Sequence, residues 1–213
     1  MTQIIVEQSG YNAKEEFWNG LTHGIAALLT IPATIALIAK AQVNGSTVEL
    51  VSYIIFGMSM FCLYLASTMY HVWPTHKTFL KKLDHSSIFL LIAGTYTPVV
   101  LIAIGGTLGW TIFAVQWGLA AIGIALKQFF VHRYMGVSLL VYIGMGWIII
   151  FVFKPLFAHI GIAGILTLLA GGLSYTIGTY FYKNKNIPYN HAIWHLFVMG
   201  GSVAMYFAIY LYV

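Results

Sequence analysis

Runs of about 18 to 24 predominantly apolar residues follow one another almost without pause, and each is long enough as a helix to cross a hydrocarbon layer of roughly 30 Å. A chain built this way has few folds open to it. With 60% apolar and 7% charged residues among 213, there are too few polar side chains to coat a soluble globule. Membrane-spanning barrels need short alternating segments instead, so the expected fold is all-α, a polytopic membrane protein.

Spans are expected at 17–40, 50–73, 85–104, 109–126, 136–153, 161–182 and 190–212. The joints carry the turn and polar residues: Asn44-Gly45-Ser46, the stretch from Pro74 to Lys82, Gly105-Gly106-Thr107, Lys127 to Arg133, Lys154-Pro155, and Lys183 to Pro188. Gly105-Gly106 is the weakest of these boundaries. No joint leaves room for another domain, so residues 1–213 read as one seven-helix membrane domain with a polar segment at 1–16. That segment has no basic region and no cleavage site, so no removable signal peptide is expected.

Charge sets the orientation, because Lys and Arg collect on the cytoplasmic side of short loops. With the N-terminus cytoplasmic, Lys14, Lys77, Lys81, Lys82, Lys127, Arg133, Lys183 and Lys185 fall inside, and only Lys40 and Lys154 fall outside. The C-terminus is then outside, and the expected location is a cell membrane, of the bacterial inner-membrane kind. This topology accounts for most of the formal charge of +5, so a nucleic-acid partner is not expected. Cys62 is alone and cannot form an intramolecular disulfide.

The topology also decides which polar residues meet. His71 ends the second span, Asp84 precedes the third, and His191 and His195 begin the seventh, all at the cytoplasmic depth. His191 and His195 are four apart and share a helix face, as two ligands of one ion would. With His71 they make three imidazoles, a donor set suited to Zn2+, and three protein ligands plus water describe a catalytic zinc site. Asp84 is placed to orient water or act as a base, and Ser67, one turn before His71, to hydrogen-bond a water, a carbonyl or an imidazole. Glu16, Asn19 and His23 share a face of the first helix at the same end and read as supporting or packing groups.

Plainer readings stand beside these. The histidine pair suits an interfacial helix whose rings bond backbone or lipid, Asp84 suits an N-cap of the third helix, and Ser67 suits a serine bonded to its own backbone. His85 points about 100° away from Asp84 and falls outside the set, while His76, His132 and His159 sit in loops. Gly20 and Gly24 suit close helix packing. Pro32 and Pro98 suggest kinks, with the hydroxyls of Thr95, Tyr96 and Thr97 near the second.

Glu16-Phe17-Trp18-Asn19 with His23, Ser67-Thr68-Met69-Tyr70-His71, Leu83-Asp84-His85-Ser86-Ser87-Ile88, Gly94-Thr95-Tyr96-Thr97-Pro98 and His191-Ala192-Ile193-Trp194-His195 resemble the motifs of the hemolysin III family. That family is the bacterial branch of the progestin and adiponectin receptor superfamily. The resemblance covers nearly the whole chain. It implies a seven-helix fold with a cytoplasmic N-terminus, zinc held at His71, His191 and His195, and Asp84 and Ser67 beside it. It also implies lipid amidase or ceramidase-like chemistry, as ascribed to the receptor relatives, and a part in membrane-lipid homeostasis.

Together these readings give a zinc-containing membrane hydrolase with a membrane lipid as substrate or ligand. Two other classes stay open: a sensor of membrane fluidity with structural zinc and no turnover, and a haemolytic or pore-forming protein.

Overall fold

The computed structural model describes residues 10–44, 46–131 and 133–213. Most of the expected polar segment, Gly45 and His132 lie outside them. The described residues form α1 (Ala13–Asn44), α2 (Thr47–Val72), α3 (Lys77–Pro98), α4 (Gly106–Phe130), α5 (Met135–Trp147), α6 (Phe153–Lys183) and α7 (Asn190–Tyr212). Two irregular helical segments join them, a π-helical one at Val99–Ile104 after α3 and a 3-10 one at Ile148–Val152 after α5. No strand is present among the described residues.

Six helical stretches are long and apolar enough to cross a membrane, with Gly136–Lys183 counted as one stretch of 48 residues. At the helical rise this stretch would measure about 70 Å if straight. It is not straight. Gly161 has φ 61° and ψ −173°, a conformation open essentially to glycine alone, and the chain doubles back there. The indole N–H of Trp147 donates to Thr176 Oγ1 at 3.1 Å, joining residues nearly equidistant from Gly161 on either side. The break expected at Lys154-Pro155 is therefore displaced to Gly161. Proline is tolerated in the first turn of a helix, where its missing N–H has no partner to lose, and α6 starts at Phe153.

α1 packs on α2 and α7, α2 on α3, α3 on α4, and α6 on α7, so the chain closes a ring between its first and last helices. Leu37, Tyr53, Phe56, Leu63 and Ile209 are buried between them. The outward faces are apolar as well: Leu28, Ile35, Ile122, Leu140 and Phe151 are exposed. α3 is the innermost helix, with two-thirds of its most apolar window buried, and it contacts α2, α4 and α5.

Three local details refine the sequence expectations. The joint at Gly105-Gly106 is present, with both glycines at positive φ. Pro98 ends α3 and is followed by the π-helical turns; Thr95 and Thr97 bond the carbonyls of Leu91 and Ala93, while the Tyr96 hydroxyl crosses to the Gly146 carbonyl. α3 begins at Lys77, two turns earlier than expected, so Asp84 lies inside the helix and is not its N-cap, a position held by His76.

Replacing Gly161 by Ala places a Cβ in a backbone region that disfavours it and is expected to cost about 1–3 kcal/mol. The same change at Gly144, a helical position in open space, is expected to stabilise by up to about 1 kcal/mol. Thermal unfolding of the two variants in one detergent should therefore move in opposite directions.

Candidate metal centre

His71, His191 and His195 are all buried, and one ring nitrogen from each lies within 4.8 Å of the other two. α2 supplies the first from its last turn, and α7 supplies the other two from its first turns, one helical turn apart. α1 lies against both helices and completes the surroundings. Gly20 permits this approach, since a Cβ there would stand 2.6 Å from Val72 Cγ2 and 3.7 Å from His71 Cβ.

Hydrogen bonds select which nitrogen faces inward on two of the three rings, while His191 Nδ1 is buried without a hydrogen-bond partner among the described residues. Glu16 Oε2 lies 2.5 Å from His71 Nδ1, so that nitrogen carries the proton it donates and Nε2 keeps its lone pair. His195 Nδ1 is 3.1 Å from the Asn19 carbonyl oxygen, which only accepts, so Nδ1 again carries the proton and Nε2 is left for the centre. His191 Nε2 lies 3.2 Å from His71 Nε2. Two imidazole nitrogens at that separation need a proton or a cation between them. A carboxylate or a backbone carbonyl behind the ligating ring is the usual support of a metal-bound histidine.

Glu16 and Asn19 thus acquire distinct positions. Glu16 is buried against His71, and Lys77 Nζ is 3.8 Å from its other oxygen. Lys77, itself buried, also donates to the carbonyls of Tyr70 and His71, tying the end of α2 to the start of α3. Asn19 acts through its backbone, while its buried side-chain amide makes no hydrogen bond among the described residues. His23 stacks on His195, with ring centroids 3.5 Å apart and planes 11° from parallel, a packing contact rather than a place among the three donors.

Ser67 and Asp84 lie beside the imidazoles. The Ser67 hydroxyl is buried, makes no hydrogen bond to the backbone among the described residues, and lies towards the Asp84 carboxylate. That excludes the backbone-bonded reading and leaves a polar group facing the site. The half-buried Asp84 carboxylate is close enough to interact with His71, Ser67 and Lys81.

Ser67, Asp84, His191 and His195 form the polar end of a cavity of about 1270 Å³, counted with its open mouth. Its walls come mostly from α3, α5, α6 and α7, with Leu91, Ile92, Ile143, Trp194 and Val198 among them, and α1, α2 and α4 add His23, Leu63 and Lys127. A second, apolar cavity of about 810 Å³ shares Thr95, Trp147, Gly172 and Met205 with the first and extends it towards Phe153 and Leu156. His85, which the sequence reading leaves outside the set, also lines the first cavity. Rotation about its own helix places it away from Asp84, but the cavity is wide enough to meet both.

Sequence reasoning also passed over Tyr11, Lys77 and Lys127. Tyr11, before α1, stacks on His191 at 5.0 Å between ring centroids and covers the site from the chain-terminal side. Burial, and next the neighbouring Tyr182, push its phenol above the ordinary tyrosine range, so it stays protonated at neutral pH. The Lys185 amine approaches its hydroxyl. An aromatic in a polar leader carries no periodic signal that would have marked it.

The chain matches the family model described as haemolysin-III related over residues 11–206. It is 50% identical to Hemolysin-3 of Bacillus cereus, covering 100% of this chain and 98% of that protein, and 49% identical to the Hemolysin-3 homolog of Bacillus subtilis (strain 168), covering 95% and 96%. It is also 29% identical to the human monocyte to macrophage differentiation factor, over 91% of this chain and 82% of that protein. Coverage from the residue that stacks on His191 to the last turns of α7, with half of all positions identical to bacterial relatives of the same length, makes this chain a multi-pass membrane protein of the haemolysin III family.

Proposed function

We propose that the protein is a zinc-dependent hydrolase that cleaves an amide or related acyl bond in a membrane lipid. It would cross the membrane seven times, with the N-terminus cytoplasmic and the C-terminus outside. The bend at Gly161 supports seven crossings, because it divides a stretch more than twice the membrane thickness into two antiparallel arms. Eight basic residues against two support the orientation. A bacterial inner membrane fits the relatives from Bacillus.

The observation that carries this reading is a cluster of three buried imidazoles, with one nitrogen of each within 4.8 Å of the others, two of which, His191 and His195, line the polar end of a mostly apolar cavity. The donor set fits zinc: three neutral nitrogens, two of them supported from behind by a carboxylate and a carbonyl. When bound, zinc would supply Lewis acidity and an acidified water beside the cavity. The protein's own groups would do the rest. The apolar walls hold the acyl chain and keep bulk water away, and Ser67 donates a hydrogen bond to the scissile carbonyl. Asp84 accepts the proton of the attacking water and returns it to the leaving group.

A second reading has an observation of its own. The three imidazoles come from α2 and α7, with α1 between them, so a metal here would also staple the first and last parts of the ring. In that case the protein is a membrane-fluidity sensor with structural zinc.

Three measurements separate these readings. Metal analysis of detergent-purified protein is expected to give one zinc per chain, abolished in His71→Ala, His191→Ala or His195→Ala. Glu16→Gln should lower zinc affinity about 10- to 100-fold in chelator competition, by removing the charge behind His71. Asp84→Asn should leave zinc content intact and reduce lipid turnover about 10²- to 10⁴-fold, read by lipid mass spectrometry of membranes with and without the protein. Full zinc with unchanged lipids in the wild type would refute the hydrolase and leave the sensor.

A further inference from the structure

Lys127 stands in the last turn of α4, where a sequence reading counts it only as one more cytoplasmic charge. Its side chain is not in solvent. It is 3% exposed, its ammonium nitrogen is inaccessible and without a hydrogen-bond partner among the described residues, and the residue lines the first cavity. A buried ammonium with no counter-charge is strongly disfavoured, so the site calls for an anion.

The chain itself has few to offer. It contains five acidic residues, and Glu7 is outside the described segments. Glu16 is committed to His71, Glu15 accepts from the backbone of Asn12 and Tyr189, and Glu49 sits in the first turn of α2, at the opposite end of that helix from His71. Asp84 faces His71, Ser67 and Lys81. The charge nearest in effect to Lys127 is Lys81, which has the same sign.

Depth places Lys127 level with the metal centre. Gly123 packs against the Phe89 ring, and Gln128 Nε2 donates to Ser86 Oγ at 3.4 Å, so the residue between them lies beside the Asp84-His85 turn of α3. The polar end of the cavity thus has two poles, His191 and His195 with Ser67 and Asp84 at one, and Lys127 of α4, its ammonium buried in the wall, at the other. Below both, the walls are apolar.

We infer that Lys127 anchors an oxyanion on the ligand's headgroup, so that the cavity takes an anionic amphiphile carrying a phosphate or carboxylate in preference to a neutral lipid. The inference rests on the reading of the cavity as a lipid site, and it names the class of lipid. The hydrocarbon chain runs between α3, α5, α6 and α7, the headgroup oxyanion meets Lys127, and the portion between them lies across Ser67 and Asp84.

Binding to the full-length protein in a neutral detergent tests this without any need for turnover. The probes are dioleoylphosphatidic acid, oleate, neutral diolein and inorganic phosphate, compared by native mass spectrometry and by ligand-induced thermal shift. Phosphatidic acid or oleate is expected to bind at least about ten-fold more tightly than diolein, and Lys127→Met to remove about 10- to 100-fold of that affinity while leaving diolein unchanged. Lys127→Arg should keep most of the preference. Without ligand, Lys127→Met should unfold at the same or a higher temperature than the wild type, because it relieves an unpaired buried charge. Equal binding of charged and neutral lipids, a preference that survives Lys127→Met, or a Lys127→Met protein that is destabilised or fails to fold would each overturn the inference. Inorganic phosphate bound as tightly as phosphatidic acid would overturn it too, assigning the site to a free anion. Zinc content measured on the same samples keeps the two proposals apart: loss of lipid preference with full zinc sinks only this inference, and retained preference without zinc sinks only the metal-dependent reading.

Discussion

A polar group buried among hydrocarbon must be answered by another polar group, and this constraint arranges the inner end of the bundle. His71 is answered by Glu16, Glu16 by Lys77, and Lys77 by the carbonyls that end α2. His195 is answered by the Asn19 carbonyl. Each link crosses from one helix to another, so the relay fixes α1, α2, α3 and α7 relative to one another while it aims the imidazoles inward. Packing supplies the proximity, through Gly20 against Val72, but packing alone would accept many rotations of α1. The polar relay accepts few.

The same constraint explains what could be read from the sequence. His191 and His195 share a face by spacing alone, and the level of His71 follows from counting spans, so their meeting was legible without coordinates. Glu16 and Asn19 were legible as neighbours but not in their roles, because spacing does not say whether a side chain or a backbone carbonyl makes the bond. The start of α3 was not legible. Lys77 to Lys82 is polar enough to read as a loop, yet Lys77 is buried by its bonds to α2 and Leu80 by the core, so the helix begins there. Pro155 misled in the opposite sense. A proline after a lysine looks like a turn, but near the start of a helix it costs nothing, and the turn went to the glycine six residues later.

Lys127 shows a different limit. Basic residues near the ends of spans are so well explained by membrane orientation that one more attracts no further question. Only burial separates it from Lys82 or Lys183, and burial depends on where α3 and α4 meet. Once Gly123 is seen against Phe89, the next turn of α4 brings Lys127 to the Asp84-His85 level, where it is buried in the cavity wall.

The two cavities also bear on whether the bundle could form a lytic pore. A water-filled lytic pore would need polar groups along its length, since water must be held by hydrogen bonds at every level. Polar residues crowd the inner end, but beyond Thr95 and Tyr96 the wall passes through Val99, Ile149, Phe153, Leu156 and Leu168. Hydrocarbon fills such a space more favourably than water does. A void that is polar at one end and apolar for the rest is complementary to molecules with the same division; in the proposed reading the head would lie at the level of His191 and His195, and the chain would point away from them. The geometry that gives a pore few polar groups beyond Thr95 and Tyr96 is therefore the geometry on which the proposed lipid reading rests, in which the carbonyl region of the lipid would meet Ser67 and Asp84.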